Sequence, residues 1–309
     1  MRYEQAEYDD LQAEMKQLEE SQPYLAPILR AFGPFLLEKC LWLSQMKGGE
    51  SKKSINPASL ADGIPVSQQR QLFRESDPWG SAGWSAATAV KTGFLRFGAD
   101  MNIVMQRLRC GGHHFFHLLL NENGEHEQHM ALRATELGVD AASLVLFLRY
   151  LGRFMLEKKT RDLHAQLSAQ AGCWKKGYCP VCGSLPHLAT SGENGRRMLH
   201  CPDCNYSWSF PRLACPYCNY ESPADNALFY VENQVERAAH VCDNCRRYLL
   251  NASIISGLRP YNADLLVISL ASLAIVIQQR GYQPMVRCEW NDFGLAGPQV
   301  TRRLMAAVH

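Results

Sequence analysis

The feature that most restricts the fold of this chain is a run of four Cys-x-x-Cys pairs between residues 179 and 245. Two residues between the thiols let the backbone turn so that both sulfurs point at one metal ion. The pairs consist of Cys179 and Cys182, Cys201 and Cys204, Cys215 and Cys218, and Cys242 and Cys245. The chain has twelve cysteines, and the clustering of these eight predicts metal sites rather than scattered disulfides.

The spacing of the pairs predicts how they combine. The intervals between successive pairs are 18, 10 and 23 residues. A zinc ribbon or a rubredoxin-like site joins two such turns by a hairpin of about 15–20 residues. Sequential pairing therefore gives one site over 179–204 and a second over 215–245, with residues 205–214 between them. Interleaved pairing stays open, although it requires longer crossings of the chain.

Four thiolates form a closed tetrahedral site that accepts either Zn²⁺ or a single iron ion, so the residues themselves leave the metal open. Three of the pairs carry proline after the first cysteine, which stiffens the turn. Gly183, Asn205 and Asn219 follow the second cysteine of the first three pairs. Glycine and asparagine are the residues that most readily adopt a left-handed backbone. Arg246 occupies that position in the fourth pair and departs from the pattern.

Helical periodicity dominates the first 170 residues. A helix is predicted over 24–43, with a break or kink at Gly33-Pro34, because proline removes a helical hydrogen bond. Residues 47–64 are polar and predicted to form a loop, and a further helix is predicted over 86–108. Asp140 is predicted to cap a long amphipathic helix.

After residue 170, prolines exclude long helices, and short apolar runs such as 197–200 and 227–231 are predicted to be hairpin strands. Asn262 opens a last apolar helix, which Gly281 ends. We therefore predict an α+β fold in three parts. They are a helical N-terminal domain (1–170), two small rubredoxin-like or zinc-ribbon four-cysteine lobes (171–260, with the lobes at 179–204 and 215–245), and a C-terminal helix and tail (261–309).

The termini and apolar segments bear on the compartment. The N-terminus carries early acids and lacks the apolar core of a signal peptide. The longest apolar run, 265–277, is shorter than the roughly 20 residues that cross a bilayer. We therefore expect a cytoplasmic protein without stable membrane insertion, in which paired thiols favour metal over disulfides.

Charge and motif content disfavour two classes of function. Residues 171–260 hold nine Lys or Arg and seven Asp or Glu, and eight thiolates with two divalent ions bring their formal charge to about −2. That sign is a poor match for a phosphate backbone, so no nucleic-acid partner is expected. A redox Cys-x-x-Cys pair normally lies at a helix N-terminus, whereas prolines and short strands surround these pairs. No catalytic or cofactor-binding residue is assigned, and the chain is not predicted to be an enzyme.

The residues within and between the pairs resemble those of the formate dehydrogenase accessory protein FdhE family. The similar runs are Tyr178–Pro186, Gly195–Cys201, Trp208 ahead of Arg212–Cys215, and Cys242–Cys245 followed by Tyr248-Leu249. The similarity extends to Arg280-Gly281-Tyr282 and covers roughly a third of the chain.

The resemblance implies a cytoplasmic maturation factor that binds the catalytic subunit of a molybdenum- or tungsten-dependent formate dehydrogenase and supports its assembly. It also implies two rubredoxin-like lobes beside a helical domain, with the eight paired cysteines as metal ligands. Two metal ions are expected, with iron favoured by the resemblance and zinc as the alternative. The competing functions are a rubredoxin-like electron carrier and a zinc-ribbon nucleic-acid-binding protein.

Overall fold

The computed structural model describes residues 2–46, 54–112, 116, 127–192, 195–221, 226–231, 234–253 and 262–291. The α-helices span Arg2–Ser21 (α1), Ala26–Gln45 (α2), Pro57–Ala61 (α3), Val66–Gln69 (α4), Trp79–Gly93 (α5), Gly98–Arg109 (α6), Glu127–Leu137 (α7), Ala141–Ala169 (α8), Ala263–Ser269 (α9) and Ala271–Gln279 (α10). The strands span Leu188–Ser191 (β1), Arg197–His200 (β2), Ser207–Ser209 (β3), Asn226–Val231 (β4), Gln234–Cys242 (β5), Arg247–Ser253 (β6) and Gln283–Pro284 (β7). The predicted α+β class, with helices, a cysteine-bearing sheet region and C-terminal helices in that order, is confirmed.

The chain divides into two compact units. The first takes its described residues from 2–46 and 73–158, and the second from 54–72 and 159–291. Residues 54–72 belong to the second unit because their backbone bonds to the region of the first cysteine pair. The Val66 N–H donates to the carbonyl of Pro180 at 2.9 Å, for example. The three-part division at residues 170 and 260 stays a prediction.

The first unit buries an aromatic core between its helices. Phe35 of α2 lies against Tyr150 and Phe154 of α8, with ring centroids 4.3 and 5.7 Å apart. Of the break or kink predicted at Gly33-Pro34, the break is wrong, since α2 continues through the proline. Phe32 and Phe35, on either side of it, are fully buried, so packing compensates for the hydrogen bond that Pro34 removes.

Two further local predictions are corrected by the structure. The loop predicted over 47–64 contains α3, which Asn56 caps by accepting from the Ala58 N–H at 3.0 Å. The helix predicted over 86–108 is two helices, α5 and α6, interrupted at Phe94. The Phe94 side chain is buried, and the core contact that it makes with Phe32 outweighs helical continuity there.

The second unit is organised around one sheet with the strand order β3-β2-β1-β6-β5-β4, and β7 pairs with β6. All neighbours are antiparallel except β1 with β6 and β6 with β7, which are parallel. The first two cysteine pairs lie around β1–β3 and the last two around β4–β6. The strands of the two predicted lobes therefore meet at the β1–β6 pairing, where Leu188 stands opposite Leu250.

The C-terminal helices cover part of this unit. Asn262 caps α9 by accepting from the N–H groups of Asp264 at 3.0 Å and Leu265 at 3.2 Å, as the sequence predicts. The predicted single helix is interrupted at Leu270, so α9 and α10 are separate. Gly281 follows α10 with φ at +85°, which agrees with its predicted terminating role. In the described part of the chain, no helix is long and apolar enough to cross a membrane.

Candidate metal centres

The structure gathers the eight paired cysteines into two groups of four. The first cluster consists of Cys179, Cys182, Cys201 and Cys204, and the second cluster of Cys215, Cys218, Cys242 and Cys245. Within each cluster the sulfur atoms all lie within 4.8 Å of one another. The grouping is the sequential one, and the interleaved alternative is not observed.

The distances between sulfurs fit one tetrahedral ion in each cluster. A Zn–S bond of about 2.3 Å places neighbouring sulfurs of a tetrahedron roughly 3.8 Å apart. In the first cluster, Cys182 Sγ lies 3.4 Å from Cys201 Sγ and 3.7 Å from Cys204 Sγ. A disulfide requires about 2.05 Å, and all eight cysteines are free thiols.

The second cluster has similar dimensions. Cys215 Sγ lies 3.7 Å from Cys245 Sγ, and Cys218 Sγ lies 3.7 Å from Cys242 Sγ. Four converging thiols at these separations are a donor set for a soft or borderline ion. The two clusters could therefore hold two metal ions, one each.

Each pair is shaped by a short turn of the backbone. In the first pair, the Cys179 N–H donates to the Ser184 carbonyl at 2.8 Å, and the Gly183 N–H donates to the Cys179 carbonyl at 2.9 Å. The third pair repeats this pattern, with Cys215 N–H to Tyr220 O at 2.9 Å and Asn219 N–H to Cys215 O at 2.8 Å. These local bonds fix the two sulfurs of a pair on the same side of the turn.

The residue after the second cysteine is left-handed in all four turns. The φ angles are +84° at Gly183, +57° at Asn205, +58° at Asn219 and +56° at Arg246. The sequence predicts the first three and misses Arg246, whose side chain is held by neighbours. Its guanidinium pairs with Asp243 at 2.7 Å and lies 4.0 Å from the centre of the Tyr282 ring. These contacts offset the roughly 1–2 kcal/mol cost of a left-handed residue with a Cβ.

Substitution of Asn219 tests the left-handed requirement. Alanine is expected to lower the free energy of unfolding of the metal-loaded protein by about 1 kcal/mol relative to glycine at this position, because glycine adopts positive φ without steric cost. Asn219 is exposed, so neither change removes a buried contact. Urea unfolding of the two variants measures the difference, and equal stabilities would contradict the prediction.

Burial distinguishes the two clusters electrostatically. It raises the pKa of the Cys179, Cys201 and Cys204 thiols well above the ordinary value, because charged sulfur is poorly solvated there. A cation held in the first cluster would supply the missing counter-charge, and its binding would release protons. The affinity of this cluster for metal would therefore fall as the pH falls.

The second cluster is more open. Burial raises the pKa of Cys215 to about 11. Burial opposes ionisation of Cys218 too, but hydrogen bonds from the Asn244 side chain and the Tyr220 N–H lower its pKa to about 7. Asn244 Nδ2 lies 3.5 Å from Cys218 Sγ. Since Cys218 and Cys245 are also partly exposed, this cluster is the more accessible of the two to chelators.

The histidines near the clusters are not among the converging ligands. Burial lowers the pKa of His200 to about 4 and that of His240 to about 3, so both rings are neutral at pH 7. His200 Nε2 lies 2.8 Å from Thr190 Oγ1, which orients the ring within the sheet. Among the described residues, both candidate metal-binding groups consist of cysteines alone.

Arg197, which lies within the run Gly195–Cys201, is a buried cation. Its side chain, in β2, donates from Nη1 to the carbonyls of Ala214 at 3.1 Å and Arg212 at 3.3 Å. Burial lowers its pKa to about 10, so the guanidinium stays charged at neutral pH, and the charge of Cys215 opposes the shift. Arg197 thus fixes the segment that leads into the second cluster.

Known proteins resemble this chain in sequence over part of its length. No family model matches the chain. The FdhE homologue of Edwardsiella ictaluri is 35% identical over 79 residues, which cover 24% of this chain and 25% of that protein. The FdhE homologue of Aquifex aeolicus is 30% identical over 129 residues, or 39% of this chain and 43% of that protein. The chain thus matches between a quarter and about two-fifths of the length of these relatives.

A solved structure extends the likeness to the fold as a whole. The crystal structure of the FdhE protein from Pseudomonas aeruginosa has a TM-score of 0.55 with this chain at 18% sequence identity. The superposition covers 90% of this chain and 92% of that one. The fold is therefore shared over nearly the full length, and the predicted resemblance to the FdhE family is confirmed.

Proposed function

This chain is a relative of the FdhE proteins, and from that premise we propose that it is a cytoplasmic accessory factor for formate dehydrogenase maturation. It binds the catalytic subunit of a molybdenum- or tungsten-dependent formate dehydrogenase and supports the assembly of that subunit. In this role it acts by binding and catalyses no reaction of its own. The ordered pair of four-cysteine clusters on one sheet carries the proposal, because it combines the motif that resembles FdhE with the FdhE fold.

We further propose that all eight clustered cysteines are metal ligands and that iron is the native metal. The resemblance to a family with rubredoxin-like sites supports iron, and the sulfur spacing in each cluster accommodates it. Hydrogen bonds to the sulfurs, such as that from the Val181 N–H to Cys179 Sγ at 3.4 Å, disperse the thiolate charge. When bound, the ions supply positive charge to the thiolates and, as iron, a one-electron redox centre.

Capture of the catalytic subunit tests the proposed function. The tagged full-length chain is expected to retain this subunit from lysates of cells grown under conditions that induce formate dehydrogenase. Mass spectrometry identifies the subunit, and a lysate from a strain lacking its gene provides the control. Failure to retain it under every inducing condition would contradict the proposal.

Metal content is measured separately. Protein purified without oxygen is expected to contain two iron ions per chain and a visible absorption band that dithionite bleaches reversibly. Two zinc ions in a colourless protein would contradict the assignment of iron and leave the eight-cysteine ligand set standing. Absence of both metals from anaerobically prepared protein would contradict the ligand set itself.

A further inference from the structure

The second unit contains a cavity of about 520 Å³ that none of the metal-site residues explains. Its walls come from the end of α8 and the turn that follows it, from β2 and β3, and from residues 210–212. The volume lies in the usual range for sites that enclose an organic ligand, and greatly exceeds the space that a single phosphate or carboxylate needs.

Aromatic side chains form the apolar part of the wall. Trp174, Trp208 and Phe210 line the cavity, and all three are at least nine-tenths buried. Each indole N–H is already used by the backbone: Trp174 Nε1 donates to Tyr178 O at 2.8 Å, and Trp208 Nε1 donates to Lys176 O at 3.1 Å. The rings are therefore fixed in place and present carbon surface to a ligand.

The polar part of the wall is cationic. Lys175, Arg196, Arg197 and Arg212 line the cavity, and no carboxylate lines it among the residues that the structure describes. Arg197 is 3% exposed, and its Nε has no hydrogen-bond acceptor in the described chain, although Nη1 is used by backbone carbonyls. A buried guanidinium N–H that has no acceptor and lies at a cavity wall can donate a hydrogen bond to a bound ligand.

The rim carries the other charges. Arg212 is exposed, and its Nη1 lies 3.7 Å from the point where a Cβ would stand on Gly195, so the guanidinium lies beside this glycine. Lys175 and Arg196 are exposed as well. Exposed guanidinium groups bind carboxylates by charge-assisted hydrogen bonds.

From these observations we propose that the cavity binds an acidic peptide segment. A carboxylate of the segment contacts Arg196 and Arg212 at the rim, and an apolar or aromatic side chain occupies the space beside Trp174 and Phe210. A bare oxyanion would leave the aromatic walls unused. Under the proposed function, on which this last step rests, the segment belongs to the catalytic subunit.

Labelled hexapeptides test the site directly. Three peptides with the patterns Glu-Glu-Phe-Phe-Glu-Glu, Gln-Gln-Phe-Phe-Gln-Gln and Lys-Lys-Phe-Phe-Lys-Lys are titrated with the metal-loaded full chain, and fluorescence anisotropy reports binding. The acidic peptide is expected to bind at least about tenfold more tightly than the neutral one, the ratio that one charge-assisted hydrogen bond supplies. The basic peptide is expected not to bind. Equal affinity for the acidic and neutral peptides would overturn the proposal.

Variants locate the binding. Arg212→Gln is expected to lower the affinity for the acidic peptide about tenfold. The matched control is Arg30→Gln, which replaces an exposed arginine of the first unit and is expected to leave the affinity unchanged. Only the backbone carbonyl of Arg212 is used by Arg197, so the substitution preserves that bond. Unchanged metal content and far-UV circular dichroism confirm folding. If Arg212→Gln binds the acidic peptide like the wild type, or if a single-stranded oligonucleotide displaces the peptide at lower concentration than unlabelled peptide does, the proposal is wrong.

Capture of the catalytic subunit separates this proposal from the proposed function. Where the wild type captures the subunit, and neither Arg212→Gln nor an excess of acidic peptide reduces the capture, the assignment of the peptide segment to the catalytic subunit is overturned and the accessory function stands. Where the acidic peptide binds with the expected specificity and the subunit is never captured, the accessory function is overturned and the peptide site stands.

Discussion

Replacing Cys204 with serine is expected to abolish metal binding at the first cluster and to unfold the strands that this cluster holds together. Cys204 Sγ lies 3.4 Å from Cys179 Sγ, and both side chains are fully buried. Apparent binding free energies of structural four-ligand zinc sites are about 10–16 kcal/mol, whereas whole domains are stable by roughly 5–15 kcal/mol. Loss of one ligand therefore removes a contribution as large as the stability of the unit itself.

The measurement combines metal content with unfolding. The variant is expected to contain one metal ion per chain instead of two, and to lose the near-ultraviolet signal of the strands around the first cluster while it keeps most far-UV helicity. Cys110→Ser is the matched control, because Cys110 is exposed and lies outside both clusters. Retention of two ions, or loss of all helicity in a single step, would contradict the prediction.

The β1–β6 pairing extends this effect to the second cluster. β6 directly follows the last cysteine pair, and it hydrogen-bonds to β1 from Leu188 opposite Leu250 to Ser191 opposite Ser253. Once β1 is released, β6 has an unpaired edge over these residues. We therefore expect the remaining ion of the variant to be removed by a chelator faster than the same ion of the wild type.

The clusters are predictable from the sequence because each half of a cluster is a local structure. The turn at Cys179 closes through bonds to Gly183 and Ser184, only four and five residues away. Residue type and spacing therefore carry the needed information. Arg246 escapes prediction because its left-handed backbone depends on Tyr282, which is distant in sequence, although Asp243 three residues earlier is a local signal.

The spacing of the cysteine pairs does not predict that the strands form a single sheet. Its central pairing joins strands some 60 residues apart, and parallel neighbours leave no turn between them that sequence could reveal. Both β1 and β6 contain consecutive buried residues rather than an alternation of buried and exposed ones. Such a run indicates a buried strand and specifies neither its partner nor its register.

Local helix signals fail where packing opposes them. Pro34 predicts a break or a kink, yet the helix does not break, and buried rings lie on both sides of the proline. In the opposite direction, the apolar run after Asn262 predicts one helix, and the chain divides it at Leu270, which is itself buried. In each case the tertiary contact outweighs the local preference, which is worth at most a few kcal/mol.

Gly177→Ala is expected to lower the free energy of unfolding of the second unit by about 1–3 kcal/mol and to weaken metal retention in the second cluster. Gly177 is buried, and a Cβ there would overlap the backbone carbonyl and Cα of Pro216, which lies between Cys215 and Cys218. The lead-in to the first cluster thus lies directly against the turn of the second. The φ angle of Gly177 is not in the left-handed region, so the effect arises from steric overlap alone.

Neither the backbone around Gly177 nor the turn at Pro216 can move easily to relieve this overlap. The backbone on both sides of Gly177 is held by indole groups, at Lys176 by Trp208 and at Tyr178 by Trp174. On the opposite side, displacement of Pro216 moves the two neighbouring cysteine sulfurs away from a common ion. Because the obstruction is backbone rather than a flexible side chain, the strain is expected to appear at the second cluster.

Chelator kinetics and urea unfolding together test this expectation. Gly177→Ala should release the ion of the second cluster to EDTA faster than the wild type does, with a lower unfolding midpoint. Gly172→Ala is the matched control, because a Cβ at Gly172 meets no atom within 4 Å and its stability should stay within about 0.5 kcal/mol of the wild type. If Gly177→Ala behaves like Gly172→Ala, the turn at Pro216 moves without cost, and the close approach does not couple the two clusters. A selective loss at the second cluster instead means that residues leading into one metal site hold the ligands of the other.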